Sequence, residues 1–245
     1  MNPGMNLNMN LGTHTQNRHV IVYDADRIPE PQLRLMEPAY WEGIAAVSGQ
    51  AAGRGNTLLL ETPFGPAVLR RYLRGGWPAR VSRDRYLYTG LHRSRPFREF
   101  NILCQLAEKG LPSPVPLAAS CERGLISYRG ALLMEEIRDV APLADFLGSA
   151  QSGAALWADV GACIHAFHRA GVHHADLNAR NLLVNRSSGE VFLVDFDRCT
   201  LNPGIAVDGK SNLARLQRSL LKLWPGNDPD TLQACWQALL GGYHD

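Results

Sequence analysis

The sequence predicts an α+β protein in two lobes. Strand-like segments crowd its first half, helix-like segments fill its second, and residues 135–139 read as a crossing between them. A chain of 245 residues, 45% hydrophobic and 20% charged, has enough apolar content to build cores of this kind. The expected division is a tail over 1–19, a first lobe over 20–137 and a second over 138–245. Residues 1–17 are rich in Asn, Met and Gly, and no basic segment there precedes an apolar one. They read as a flexible tail and not as a secretory signal.

In chain order, Val20 to Tyr23 is a short apolar strand, and Pro29, Pro31 and Pro38 make the next stretch irregular. Thr57 to Glu61 and Pro66 to Leu73 are strands joined by the turn Thr62-Pro63-Phe64-Gly65, after a glycine-rich stretch over 48–56. Arg95 to Lys109 keeps helical spacing at Phe100, Leu103 and Leu106, with Gly110 as its stop. Pro-rich residues 111–116 cannot continue that helix, and Ile126 to Tyr128 and Ala131 to Met134 read as two short strands around Arg129-Gly130. Further on, Ala154 to Ala170 is a helix, and Leu182 to Val184 and Val191 to Val194 are strands around a turn. Ser211 to Trp224 is an amphipathic helix, and Asp228-Pro229 opens a last helix to about Leu240.

Bulk features exclude several classes. No apolar run approaches the roughly 20 residues that span a bilayer. The five Cys, at 104, 121, 163, 199 and 235, form no CxxC pair, which argues for buried, reduced thiols over a zinc ribbon or a disulfide framework. The net charge of +2 hides an uneven distribution: residues 70–98 hold nine Arg against Asp84 alone, and only Lys109, Lys210 and Lys222 are Lys.

Chemistry concentrates in His174-Ala175-Asp176-Leu177-Asn178-Ala179-Arg180-Asn181 and Val194-Asp195-Phe196-Asp197. Asp176 and Asn181 are spaced as in the kinase catalytic loop HxDxxxxN, and Asp195 follows after two strands. Phosphoryl transfer needs a carboxylate to orient the attacking hydroxyl and take its proton, and oxygen ligands for Mg²⁺ on the phosphates. Asp176 suits the first role, Asn181 and Asp195 the second. Singly, each also suits a structural loop or turn; together they point to a kinase-like site.

At these residues the chain resembles the 3-deoxy-D-manno-octulosonic acid (Kdo) kinase family, within the protein-kinase-like superfamily. The matching pieces are Gly53-Arg54-Gly55, residues 68–76, Arg95-Pro96-Phe97-Arg98-Glu99-Phe100, the loop 174–181 and Val194-Asp195-Phe196-Asp197-Arg198. The resemblance implies a two-lobed protein-kinase-like fold, with an antiparallel-sheet N-lobe and a mainly helical C-lobe. It implies a sugar kinase that uses ATP and Mg²⁺ to phosphorylate the 4-hydroxyl of Kdo in a Kdo-lipid A precursor of the lipopolysaccharide core. The expected location is the cytoplasmic face of the inner membrane, as a peripheral protein with no obligate protein partner. Composition and spacing show only a kinase-like phosphotransferase.

The strand that carries the phosphate-binding Lys in ordinary protein kinases contains no Lys here. Alternation puts Val68, Arg70 and Tyr72 on one face, and Leu69, Arg71 and Leu73 on the other. If Val68 roofs the adenine, Arg70 stands in the Lys position, with Arg71 opposite and Glu99 as its helix partner; a solvated strand Arg and an exposed helix Glu are the alternatives. With adenine expected between the lobes near the backbone of Met134 to Ile137, the nucleotide-binding residues are Gly53, Gly55, Arg70, Glu99 and Glu135. Asp197 replaces the usual Gly of DFG, and either approaches metal or substrate or caps the turn. His174 reads as a structural residue of the loop, while Asn178 and Arg180 stand where acceptor contacts could fall. The Arg-rich stretch has three readings: nucleic acid binding, solvated surface, and recognition of a polyanionic lipid and an anionic membrane. The third is adopted, and no nucleic acid partner is expected. Rival functions are a kinase acting on a heptose, an aminoglycoside or a protein, and a non-catalytic pseudokinase scaffold.

Overall fold

The computed structural model describes residues 9–50, 57–73, 84–149, 152–226 and 228–244. The chain divides into two compact units, 1–110 with 114–136, and 111–113 with 137–245. Residues 111–113 join the second unit, although they precede the expected crossing, because Leu193 donates its backbone N–H to Pro112 O at 3.0 Å.

The first unit contains β1 (Leu11–Gln16), β2 (His19–Asp24), α1 (Pro38–Gly43), β3 (Val47–Gln50), β4 (Thr57–Thr62) and β5 (Gly65–Arg71). It continues with β6 (Tyr86–Leu87), α2 (Arg95–Glu108), β7 (Pro116–Arg123) and β8 (Ser127–Glu135). The strands form one antiparallel sheet in the order β1-β2-β7-β8-β5-β4-β3, with β6 added to β8. One sheet face carries Leu60, Ala67, Leu69, Leu117 and Leu133 into a core with the fully buried Trp41. Helix α2 supplies Phe100, Leu103 and Leu106, all fully buried.

Three expectations change here. Residues 11–16 are a strand and not part of a tail. Gln16 and His19 pair across Asn17-Arg18, with Asn17 at φ 55°, so this is a two-residue hairpin. Its edge strand is largely exposed and polar, which is why its composition mimics a tail. Strand β7 is a second departure: its run of Ala118, Ala119, Ser120 and Cys121 has weak strand propensity. Burial of Leu117, Ala118, Ala119 and Cys121 at the middle of the sheet outweighs that preference. The two short strands around Arg129-Gly130 are one strand, β8. Gly130 is not a break but a point of close approach, since a Cβ there would lie 2.5 Å from Pro96 Cγ at the start of α2.

The second unit holds β9 (Val140–Pro142), α3 (Ala154–Arg169), β10 (Val172–His173), β11 (Leu182–Asn185), β12 (Val191–Leu193), β13 (Thr200–Leu201), α4 (Lys210–Leu223) and α5 (Pro229–His244). Its sheets are small: β12-β11-β9 and β10-β13. Helices α3 and α5 cross so closely that a Cβ on Gly161 would lie 2.0 Å from Leu239 O, and one on Gly242 would lie 2.1 Å from Ala158 O. Asp228 caps α5 by accepting from Thr231 N–H at 3.1 Å. All five cysteines are buried, and no disulfide joins them. Burial pushes the Cys104 and Cys163 thiols up to about 12 and Cys121 up to about 11, so these are inert packing groups.

Candidate active site

In the first unit the candidate site is built on β5 and α2. The alternation expected for β5 holds: Ala67 and Leu69 enter the core, while Arg70 and Tyr72 turn the other way and meet Glu99 on α2. Arg70 Nη2 pairs with Glu99 Oε2 and also donates to Tyr72 Oη at 3.2 Å. The Tyr72 hydroxyl donates to the same Glu99 oxygen. Burial and the adjacent Glu99 carboxylate hold the Tyr72 phenol well above its ordinary pKa, so it remains a donor. The Glu99 side chain is 1% exposed and that of Arg70 17%. Arg71 points away from this cluster, to Asp84, its Nη2 3.5 Å from Asp84 Oδ2.

The second unit carries the loop between β10 and β11. Asn181 Nδ2 donates to Asp176 O at 2.9 Å, drawing the ends of the loop together. Val194 N–H donates to Asn181 O at 3.0 Å, and His174 Nε2 donates to Val194 O at 3.0 Å. These bonds connect Asp176, Asn181 and the residue before Asp195. Asp195 has φ 68°, a left-handed conformation uncommon without glycine. The next residue holds it there: Phe196 is fully buried against Phe167 and His174. His174 is a structural residue, as expected, with burial lowering its pKa so that the ring stays neutral.

The α4 helix grips this loop through three side chains on one stripe. Asn212 Oδ1 accepts from His174 N–H at 3.1 Å, and its Nδ2 donates to His174 O at 2.9 Å. Ser219 Oγ accepts from Ala179 N–H at 3.2 Å. Between them Arg215 donates from Nε and Nη2 to Asp176 Oδ1, at 3.0 and 2.6 Å. His168 Nε2 donates to Asn212 Oδ1 at 3.0 Å, and Tyr243 donates its hydroxyl to His168 Nδ1 at 2.8 Å. Motif spacing does not single out Tyr72, His168, Asn212, Arg215 or Ser219. The available signal is on α4, where the three polar residues flank apolar Leu216 and Leu220 instead of occupying the opposite, solvated face.

Other expected residues lie outside these two clusters or outside the described residues. Gly53 and Gly55 lie outside the described residues. Glu135 commits its carboxylate to Arg27 and its N–H to Val115 O, the latter at 2.9 Å. Asn178 shapes the loop: Nδ2 donates to Asp176 O and Oδ1 accepts from Arg180 N–H, both at 2.9 Å. Arg180 and Asp197 are exposed and half-buried respectively. Within the Arg-rich stretch, Arg70 and Arg71 serve ion pairs, and Arg95 stacks over Tyr72 and Tyr86. These three are part of the framework, whereas Arg93 and Arg98 are exposed. Arg74, Arg80 and Arg83 lie outside the described residues.

A solved structure of WaaP in complex with acyl carrier protein resembles this chain with a TM-score of 0.54 and 17% identity, covering 86% of both chains. That likeness concerns the fold, which is the protein-kinase-like α+β type. A protein named 3-deoxy-D-manno-octulosonic acid kinase from Xanthomonas euvesicatoria pv. vesicatoria is 46% identical over 203 residues, 83% of this chain and 80% of the relative. One of the same name from Stenotrophomonas maltophilia is 41% identical over 223 residues, 91% of this chain and 88% of its own. The model of the lipopolysaccharide kinase (Kdo/WaaP) family matches residues 38–243, and the chain belongs to that family.

Proposed function

We propose that this chain is a Kdo kinase, transferring the γ-phosphate of ATP to the 4-hydroxyl of Kdo in a Kdo-lipid A precursor during lipopolysaccharide core biosynthesis. The carrying observation is the hydrogen-bonded loop joining Asp176, Asn181 and Val194-Asp195, in a chain 46% identical to named Kdo kinases. Asp176 orients the sugar hydroxyl and accepts its proton as the bond to phosphorus forms. Arg70, anchored by Glu99 and Tyr72, presents a permanently charged fork to ATP phosphate. Gly53, Gly55 and the backbone near Glu135 complete the nucleotide contacts.

The donor set suits a hard divalent cation. Asn181 commits its amide nitrogen to Asp176 O, which leaves the amide oxygen as its ligand atom, and Asp195 contributes a carboxylate. Asn181 and Asp195 would hold Mg²⁺, which would neutralise phosphate charge.

The reading extends to peripheral residence on the anionic inner membrane. Exposed Arg93 and Arg98 support it, and no helix among the described residues is long and apolar enough to cross a bilayer. Sedimentation with phosphatidylglycerol vesicles that weakens as salt rises is expected; salt-insensitive sedimentation counts against it.

The activity is tested with labelled ATP offered alongside a Kdo-lipid A precursor, a core heptose, an aminoglycoside and a protein. Label should enter the Kdo acceptor. Labelling of another acceptor in its place, or no turnover despite Mg-ATP binding, would overturn the proposal.

A further inference from the structure

Arg215 uses its guanidinium on the carboxylate that must meet the acceptor. Both donors land on the same atom, Asp176 Oδ1, so Asp176 Oδ2 and the second guanidinium amino group lie outside the contact. The two side chains are 49% and 39% exposed, and an ion pair so open to water adds little to folding.

Helix α4 carries Lys210, Arg215, Arg218 and Lys222 and no acid, and exposed Arg180 stands in the loop beside it. The helix itself is fixed by buried Leu216 and Leu220 and by the Asn212 and Ser219 bonds to the loop, so Arg215 has a rigid base and a solvent-facing head. Such a head can exchange one carboxylate for another without moving the helix.

We infer that Arg215 is the residue that binds the acceptor's own carboxylate. This rests on the Kdo reading: the sugar is an acid, and its carboxylate sits on the same ring as the hydroxyl to be phosphorylated. As the acidic sugar enters, its carboxylate takes the guanidinium fork and Asp176 is released to face the hydroxyl. Arg215 thus holds Asp176 while the site is empty and selects acidic over neutral sugars when it is filled.

The test compares a soluble Kdo glycoside with its carboxyl-reduced analogue in the parent protein and in Arg215→Gln and Arg215→Lys. The parent should prefer the acid by about 10- to 100-fold in kcat/KM, the effect of one charge-assisted hydrogen bond. Arg215→Gln should collapse that preference through a raised acceptor KM with the ATP KM unchanged, and Arg215→Lys should restore part of it. If Arg215→Gln lowers kcat equally for both acceptors and keeps the preference, Arg215 only positions Asp176 and the inference fails. A raised ATP KM would assign Arg215 to the nucleotide and overturn it as well. A parent that phosphorylates neither glycoside but does phosphorylate a neutral sugar would sink the Kdo reading itself, a result visible without any variant.

Discussion

Each unit contains an arginine–carboxylate pair, and the two differ in what surrounds them. Arg70 and Glu99 are 17% and 1% exposed and share Tyr72 as a third partner. Arg215 and Asp176 are 49% and 39% exposed. The first pair therefore belongs to the framework: removing one member leaves a charge buried with incomplete compensation. The second contributes little to folding, so its geometry is available to ligands. The proposed reaction uses both kinds. In that reading Arg70 presents charge to phosphate from a fixed place, and Asp176 changes partners as the acceptor arrives.

The largest expected effect is at the exposed pair and falls on activity. Asp176→Ala should cost about 10²–10⁴-fold in kcat, the range for a positioned general base, with thermal stability close to that of the parent protein. Intact ATP-dependent transfer in this variant would remove Asp176 from the chemistry and dissolve the contrast between the two pairs.

At the buried pair the order reverses. Arg70→Met should destabilise the protein by about 3–5 kcal/mol, because the buried Glu99 carboxyl loses its guanidinium partner. Arg70→Met combined with Glu99→Leu should recover most of that loss and still fail to use ATP, since stability no longer needs the pair but phosphate binding does. Arg71→Ala, on the other face of β5, should leave the ATP KM nearly unchanged. Equal effects of Arg70→Ala and Arg71→Ala on ATP use would contradict the register argument.

The buried pair is legible in the sequence because strand alternation and the Lys shortage converge on Arg70, and helical spacing supplies Glu99. The loop was legible from the spacing of Asp176, Asn181 and Asp195. Arg215 was not, because helix period alone describes an amphipathic helix and does not say what its polar edge touches. The same limit hid β7, where central burial overrides the weak strand preference of Ala118 and Ala119. Strand β1 escaped for the opposite reason: its exposed edge position lets a polar sequence pair through its backbone alone. Gly130 is ambiguous in the sequence because glycine marks both turns and close packing, and only the approach of Pro96 separates the two.

The smallest expected effect is a difference in acid response between the units. Burial lowers the pKa of both His168 and His174. Each therefore binds a proton more readily in the unfolded chain than in the folded one. Stability from this source is complete above the ordinary histidine value of about 6.5 and is lost as pH falls below it toward the depressed folded values. Both residues converge on Asn212, which grips the His174 backbone, so the loss should appear first at α4 and the loop carrying Asp176. Amide hydrogen exchange at about pH 7.5 and about pH 5.5, corrected for intrinsic rates, should show lost protection in α4 and residues 174–181 and none specific to β5 and α2. His168→Gln should flatten the response of α4. Equal acid sensitivity in both units would mean that the loop bearing the exposed pair is as firmly built as the buried one, and the division between framework and exchangeable contact would have to rest on Arg215 alone.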